Sequence, residues 1–317
     1  MQKGGVIEIK NILRRIKNAI YLSFYYFYDF LLFIISNRTN TSNISKKLLA
    51  SIKINLHKIE KGLSYDQPKV NFGTNIIDEL IKDSVDYYKL NGATSALDAV
   101  YDAISEYSEK KITNEKITIS RINTFLSSYT KNNNKVSGGT KKYNLSISNS
   151  DSKVFGNIVK SRMSCRSFSK DIISAEIINN SLQLASFSPS VCNRQTCKTY
   201  SVPYELIPEA LKLQKGTRGF SKNIHNLLVI TSDLNYYNGY SEYNQCFFEM
   251  GTFAMNLVYG FHLQNVSTLY LNWCASPIND IKLKRILNIP NNFRIGVLIA
   301  FGYPSTQVTA FSNKTHE

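Results

Sequence analysis

No GxGxxG follows a strand in this 317-residue chain, and no GxxxxGK[ST] loop occurs. A Rossmann dinucleotide site and a P-loop are therefore not expected, because both need glycines where backbone approaches phosphate. GxSxG is also absent, which removes the strand–turn–helix nucleophile elbow. Cysteine is sparse and odd in number: Cys165, Cys192, Cys197, Cys246 and Cys274, with no CxxC pair. That spacing excludes zinc ribbons and thioredoxin-type motifs and fits reduced thiols in a cytoplasmic protein. The four histidines, His57, His225, His262 and His316, form no pair at metal-ligand spacing, so no metal site is expected.

What is present supports a folded chain. Hydrophobic residues are 43% and charged residues 19%, enough apolar content for a sizeable core. The formal net charge of +15 favours anionic partners in general. Lysine is scattered along the chain, however, and no nucleic-acid motif accompanies it, so no nucleic-acid partner is expected. Ala19–Ser36 (AIYLSFYYFYDFLLFIIS) is long enough to raise the question of a membrane span. Asp29 in its middle costs about 2.5–3.5 kcal/mol on insertion scales. The expected order is a helix packed on the protein first, a peripheral membrane helix second and a spanning helix third.

Three zones emerge. Residues 1–129 read as a mostly helical extension. Leu49, Ile52, Leu56, Ile59 and Leu63 mark one helix face, with Gly62 placed to stop it, and further helices cover Asn75–Leu90 and Ser95–Tyr107. Residues 130–153 are polar, contain Gly138–Gly139 and read as a linker or long loop. From 154 to 317, helices and strands alternate. Helices are expected from a Ser174 cap to Phe187, over Leu206–Leu213, over Glu242–Gln264 and over Ile278–Leu287. Strands are expected at Thr199–Val202, Asn226–Ser232, Val266–Leu271 and Arg294–Gly302. The fold class is α+β, a mixed sheet flanked by helices.

Two short segments carry chemistry. Ser161–Phe168 (SRMSCRSF) sets Arg162 and Arg166 among hydroxyls, and arginine forks bind phosphate bidentately. Ser188–Gln195 (SPSVCNRQ) is a polar loop after a helix. Arg162, Ser164, Arg166 and Phe168 fit R-x-S-x-R-x-F, and Pro189, Ser190, Asn193 and Gln195 fit P-S-x-x-N-x-Q. In this order the two resemble the nitroreductase family of flavin mononucleotide (FMN) enzymes. The resemblance runs over about residues 154–314, through Gln245–Tyr259, Leu271-Asn272-Trp273 and an IP…GYP run ending at Pro304.

The resemblance implies a nitroreductase-like sheet and an FMN-dependent oxidoreductase. The expected reaction is ping-pong reduction of a small organic substrate through flavin N5, driven by transient NADH or NADPH. It implies a homodimer with FMN at the interface. Arg162, Met163, Ser164, Arg166 and Leu271 would bind FMN in one subunit, and Pro189, Ser190, Asn193 and Gln195 would close on it from the other. Backbone N–H groups at Asn272 and Trp273 would carry the catalytic contact near N5, and Lys314 falls near a phosphate-gripping position. His57-Lys58-Ile59-Glu60-Lys61-Gly62-Leu63 resembles a segment of a subgroup with an N-terminal helical extension, found among polysaccharide-biosynthesis proteins. Physically it reads as the polar face and last turn of a helix; a substrate-site role for His57 or Glu60 is the second reading. Two other functions stay open: an FMN oxidase or dehydrogenase of a polysaccharide-pathway intermediate, and a non-enzymatic membrane-surface or partner-binding protein of glycan assembly. Single residues carry plainer expectations: Cys192 a small buried thiol, His262 a satisfied core histidine, Trp273 a packing residue, and the Gly251–Ala254 face core plus dimer contact.

Overall fold

A computed structural model describes residues 2–305 except 133, 134, 136 and 144; of residues 2–10 it gives the backbone course only. The apolar spacing noted above builds helix α2, Ile44–Leu63, whose Ile52, Leu56, Ile59 and Leu63 are buried. The Asn43 side chain caps it by accepting from the Lys46 N–H. Helices α3 (Thr74–Asn91), α4 (Ser95–Glu109) and α5 (Lys116–Ser128) add Ile77, Leu80, Leu97, Ile104, Ile122 and Phe125 to the same core. Gly62 does not stop α2, which runs one residue further to a Ser64 cap. Gly62 serves close approach instead: a Cβ there would sit 2.0 Å from the Phe72 ring.

The stretch 130–153 is docked rather than slack at its glycine pair. A Cβ on Gly138 would strike the Ala99 carbonyl, and Gly139 takes φ +81° while donating its N–H to Glu60. The stretch also ends in structure: Ser148 and Asp151 form a capping box at the head of α6, Asn149–Ser161.

The C-terminal half holds a four-stranded sheet in the order β1-β2-β4-β3, every neighbour antiparallel. The strands are β1 (Cys197–Ser201), β2 (Leu227–Asp233), β3 (Ser267–Asn272) and β4 (Phe293–Gly302). The parallel component is the single bridge Ser164–Thr268 at the β3 edge. Both faces of the sheet are covered, which is why every residue of β2 is buried and its first four, Leu227 to Ile230, are apolar without alternation. Leu228, Ile230, Ile299 and Phe301 meet the central helix α9 (Gln245–Leu263), itself backed by α7 (Ala175–Ser186). Leu227, Val229, Leu269 and Leu298 meet α8 (Ile207–Gln214) and α10 (Pro277–Ile286). Ser174 caps α7 as its sequence suggests.

Helix α1, Gln2–Ser36, corrects the leading expectation for Ala19–Ser36. It packs along one narrow face and only near its end. Phe33 is buried, Asp29 pairs with Arg294 at 2.5 Å, the Tyr28 hydroxyl donates to Asp280 at 2.7 Å, and Tyr25 donates to the Ala275 carbonyl. The rest of the stretch is open: Ile20, Tyr26 and Phe27 are 65%, 63% and 59% exposed. Asp29, a penalty in a bilayer, is the residue that ties the helix to the sheet.

Candidate functional site

The geometry of β4 creates the main cavity. Between β2 and β4 the register passes from Ile230–Val297 to Thr231–Ile295, leaving Gly296 as an extra residue. Such a bulge bends its strand and commonly borders functional sites. Beside it β3 makes its last pair, Asn272 with Val297, and the chain leaves the sheet. A cavity of about 580 Å³ opens there, lined by Arg166, Leu271, Asn272, Trp273 and Gly296, with Phe247, Met250 and Gly251 of α9. Four residues expected at the site are thus brought together: Arg166, Leu271, Asn272 and Trp273.

Arg166 arrives because its segment lies along the β3 edge. Cys165 N–H donates to the Thr268 carbonyl at 3.0 Å, Ser164 bridges Thr268, and Phe168 is buried. Arg162, Met163 and Ser164 share this segment but do not line the cavity. Arg162 sits near the far end of α9, where burial of the His262 imidazole, and then the Arg162 charge, hold it below its usual value. His262 is satisfied, hydrogen-bonded with Ser161 Oγ at 2.8 Å, but half-buried rather than in the core. Neither Arg162 nor Arg166 has a carboxylate partner among the described residues. Lys314 lies outside the described residues.

Two residues at the cavity lie outside the sequence motifs. Gln214 is buried; its Nε2 donates to the Asn272 carbonyl at 2.9 Å and its Oε1 accepts from Gly216 N–H at 2.5 Å. It fixes the backbone at which a catalytic contact is expected. The helix read as Leu206–Leu213 stopped one residue short of it. Asp280 accepts from the Trp273 indole at 2.8 Å, and also meets Tyr28 of α1 and Lys284. The Trp273 ring is therefore anchored as well as packed. A second cavity of about 400 Å³ shares Phe247 and Trp273 with the first and is walled by Tyr25, Tyr28 and Asp29, so α1 lines a cavity that adjoins the main one.

The loop Ser188–Gln195 stands at the other edge of the sheet, before β1. With strands about 4.8 Å apart, the two edges are separated by roughly 14 Å. The loop is shaped by buried charge. Arg194 is wholly buried, forks onto both Glu242 oxygens at 2.7 and 2.9 Å, and donates through Nε to the Val191 carbonyl. Glu249, also buried, accepts from Val191 N–H, Thr196 and Tyr237. These bonds hold Cys192, Asn193 and Gln195 at φ near +50°, a region non-glycine residues enter only when their surroundings impose it. Ser190 Oγ accepts from the Gln195 N–H at 3.0 Å. Cys192 is not a buried thiol: it half-emerges beside Asn193 and Gln195 into a third cavity, shared with His57 and Glu60 of α2. Pro189 and Ser190 are not among that cavity's lining residues.

Residues 159–217, which hold both motif segments, match the model of the nitroreductase family. No curated protein matches the chain. Similar solved structures include a nitroreductase family protein of Streptococcus pneumoniae, at 18% identity over 51% of this chain and 96% of that one, TM-score 0.44. An FMN-dependent nitroreductase of Clostridium difficile aligns at 18% identity, 50% and 91% coverage, TM-score 0.42. A nitroreductase with bound FMN from Desulfitobacterium hafniense aligns at 17% identity, 50% and 93% coverage, TM-score 0.42.

Proposed function

We propose that the chain is an FMN-dependent oxidoreductase that acts as a homodimer. The observation that carries this reading is the division of the motif residues. Arg166, Leu271, Asn272 and Trp273 line one cavity, while Pro189–Gln195 lies across the sheet, where a single copy cannot close it over that cavity. A second copy would supply the missing wall. The exposed face of α9 suits such a contact: Phe247 and Phe248 are exposed, and a Cβ on Gly251 would meet nothing within 4 Å.

The residues present fit FMN. A cavity of about 580 Å³ lies within the usual range for small-ligand sites, about 300–1,000 Å³. Arg166 in its lining, and Arg162 in the same segment, have no carboxylate partner among the described residues, which leaves guanidinium forks suited to a phosphate. Arg162, Ser164 and Arg166 would take the phosphate and ribityl end, with Met163 beside them. Leu271 and the backbone of Asn272–Trp273, steadied by Gln214, would face the ring, and Lys314 would be a further phosphate contact. When bound, FMN supplies a two-electron carrier between NADH or NADPH and a small organic substrate. The chain's own part is to hold that carrier, fix the backbone donors at its edge and shield it from water. Purification with absorbance spectroscopy tests the reading: a protein that carries no flavin and takes up none when FMN is added would overturn it. Anaerobic mixing with NADH and NADPH then separates reductase from oxidase or dehydrogenase, since failure of both donors to bleach the flavin favours the latter, with a polysaccharide-pathway intermediate as substrate.

A membrane-surface role is the second reading, and α1 favours it. The Asn11–Ser36 segment is apolar enough to cross a membrane by length and composition, is 11% buried over its most apolar window, and carries Arg14, Arg15 and Lys17 near its start. With its last turns tied to the sheet, it suits lying on an anionic cytoplasmic leaflet better than spanning it. Co-sedimentation with anionic vesicles at low and high salt tests this; protein left wholly in the supernatant argues against it.

A further inference from the structure

The third cavity, about 390 Å³, lies between α2, the first turn of α4 and the loop before β1. Its lining combines Lys53, His57 and Glu60 of α2 with Thr94 and Ser95 of α4, and Asn193 and Gln195 of the loop. Leu49, Leu56, Tyr87 and Ala99 give it an apolar floor. Lys53 enters without a carboxylate: among the described residues its Nζ donates to the Arg194 carbonyl at 2.8 Å and lies 5.7 Å from the Tyr236 ring centre. Burial and nearby Lys198 push its ammonium down to about 8, and burial with Lys61 lowers the His57 imidazole. Lys53 is thus a cation held where positive charge is unfavourable, and at His57 burial favours the neutral imidazole, which can still donate one N–H.

The α4 end adds donors. Thr94 is the N-cap residue, yet its side chain makes no capping bond, and its Oγ1 is shielded from solvent with no partner among the described residues. The N–H groups of Ser95 and Ala96, in the first turn of a 15-residue helix, are accordingly free to face the cavity. An uncapped helix start, an unpartnered hydroxyl, a lysine without a salt-bridge partner among the described residues and an imidazole thus converge on one half-open cavity. Water alone would leave the Lys53 ammonium there without a salt-bridge partner among the described residues. A carboxylate or phosphate would answer all four features at once.

We propose that this cavity is a recognition subsite for a small oxyanion, a carboxylate or phosphate group held by Lys53, His57 and the α4 N-terminus. Glu60 stands at the same cavity with its carboxyl raised by burial, ready to pair with a hydroxyl or amide on the remainder of the ligand. Because Asn193 and Gln195 also line it, the bound molecule would lie beside the flavin of a second copy; that placement, unlike anion binding itself, rests on the proposed flavin site. The same placement gives the helical extension a purpose: it selects what meets the flavin.

Calorimetric titration of the full-length protein, in buffer free of both, with inorganic phosphate and with malonate tests the subsite and distinguishes the two anions. Saturable binding of at least one is expected. Lys53→Met should weaken it about tenfold or more, the scale of a charged hydrogen bond. Ser95→Pro, which removes one N–H at a first-turn position that tolerates proline, should weaken it severalfold. Lys47→Met, at an exposed position on the same helix, should leave it unchanged. Flavin content is read by absorbance in every sample. Absence of saturable binding, or equal loss in Lys47→Met, overturns the subsite. So does loss of FMN together with the anion in Lys53→Met, because the cavity would then belong to the flavin itself. Anion binding that depends on Lys53 in a protein without flavin would sink the flavin reading and leave the subsite standing.

Discussion

Arg162–Phe168 is laid along the β3 edge by backbone hydrogen bonds, and neither of its arginines has a carboxylate partner among the described residues. Ser188–Gln195, across the sheet, is held from beneath by a wholly buried arginine, two glutamates and three left-handed backbone positions. On the proposed reading, the first segment would keep its side chains for a ligand. The second uses its strongest side chain for its own shape and presents a fixed outline. The difference teaches where to look for energy: stability resides in the loop, affinity in the edge segment. If the two were functionally alike, substitutions in either would move both properties together.

The largest effect is expected from Glu242→Ala. It leaves the Arg194 guanidinium buried with only the Val191 and Tyr236 carbonyls in place of its carboxylate, a change that costs roughly 3–5 kcal/mol. Urea denaturation should show the midpoint falling far below the wild-type value; a shift within error would mean that Arg194 is not the loop's anchor. Arg166→Ala is the counterpart. Its guanidinium is exposed and unpaired, so stability should change by less than about 0.5 kcal/mol. Affinity for FMN, followed by fluorescence quenching, should fall about 10- to 100-fold, the loss of a charged hydrogen bond to phosphate. Unchanged affinity would remove Arg166 from the cradle.

Gln214→Leu blurs the distinction and so sharpens it. The substitution leaves the Asn272 carbonyl and the Gly216 N–H without their partner, at a cost of about 1–3 kcal/mol. FMN affinity should fall as well, because the same backbone faces the cavity. A thermal melt lowered with no change in flavin affinity would mean that Gln214 supports the turn and not the site.

The contrast also explains what the sequence disclosed. Strands β2 and β4 were legible from the apolar runs Leu227–Ile230 and Val297–Phe301 because both faces of the sheet are covered, and Ser174 was legible as a cap because its chemistry is local. Arg166, Leu271, Asn272 and Trp273 were legible through their motifs and do meet. Gln214 was not, since a glutamine at a helix end has no pattern; its role follows only from which backbone lies opposite. Arg194 was hidden for a related reason: an arginine in a polar loop reads as surface until Glu242, 48 positions away, is seen beneath it. The exposure of α1 was illegible because an apolar run reports that a helix wants cover, not what covers it.

The smallest effect concerns Lys53, which touches the loop from α2. Its ammonium is held down to about 8 in the folded chain, against 10.5 when free. The unfolded chain therefore binds more protons between these values, and stability from this group rises as pH climbs from about 8 to about 10.5. Below that window the folded chain carries the full penalty of a desolvated cation. In Lys53→Met the penalty is absent at every pH, although the hydrogen bond to the Arg194 carbonyl is lost as well. The melting temperature of the variant relative to wild type should therefore be most favourable near pH 7 and should decline toward pH 10. The slope is bounded by one proton, about 1.4 kcal/mol per pH unit, and solvent at the half-open cavity will reduce it. A difference that stays flat across this range would mean that Lys53 meets the loop as an ordinary solvated lysine, and the loop's rigidity would then owe nothing to the helical extension.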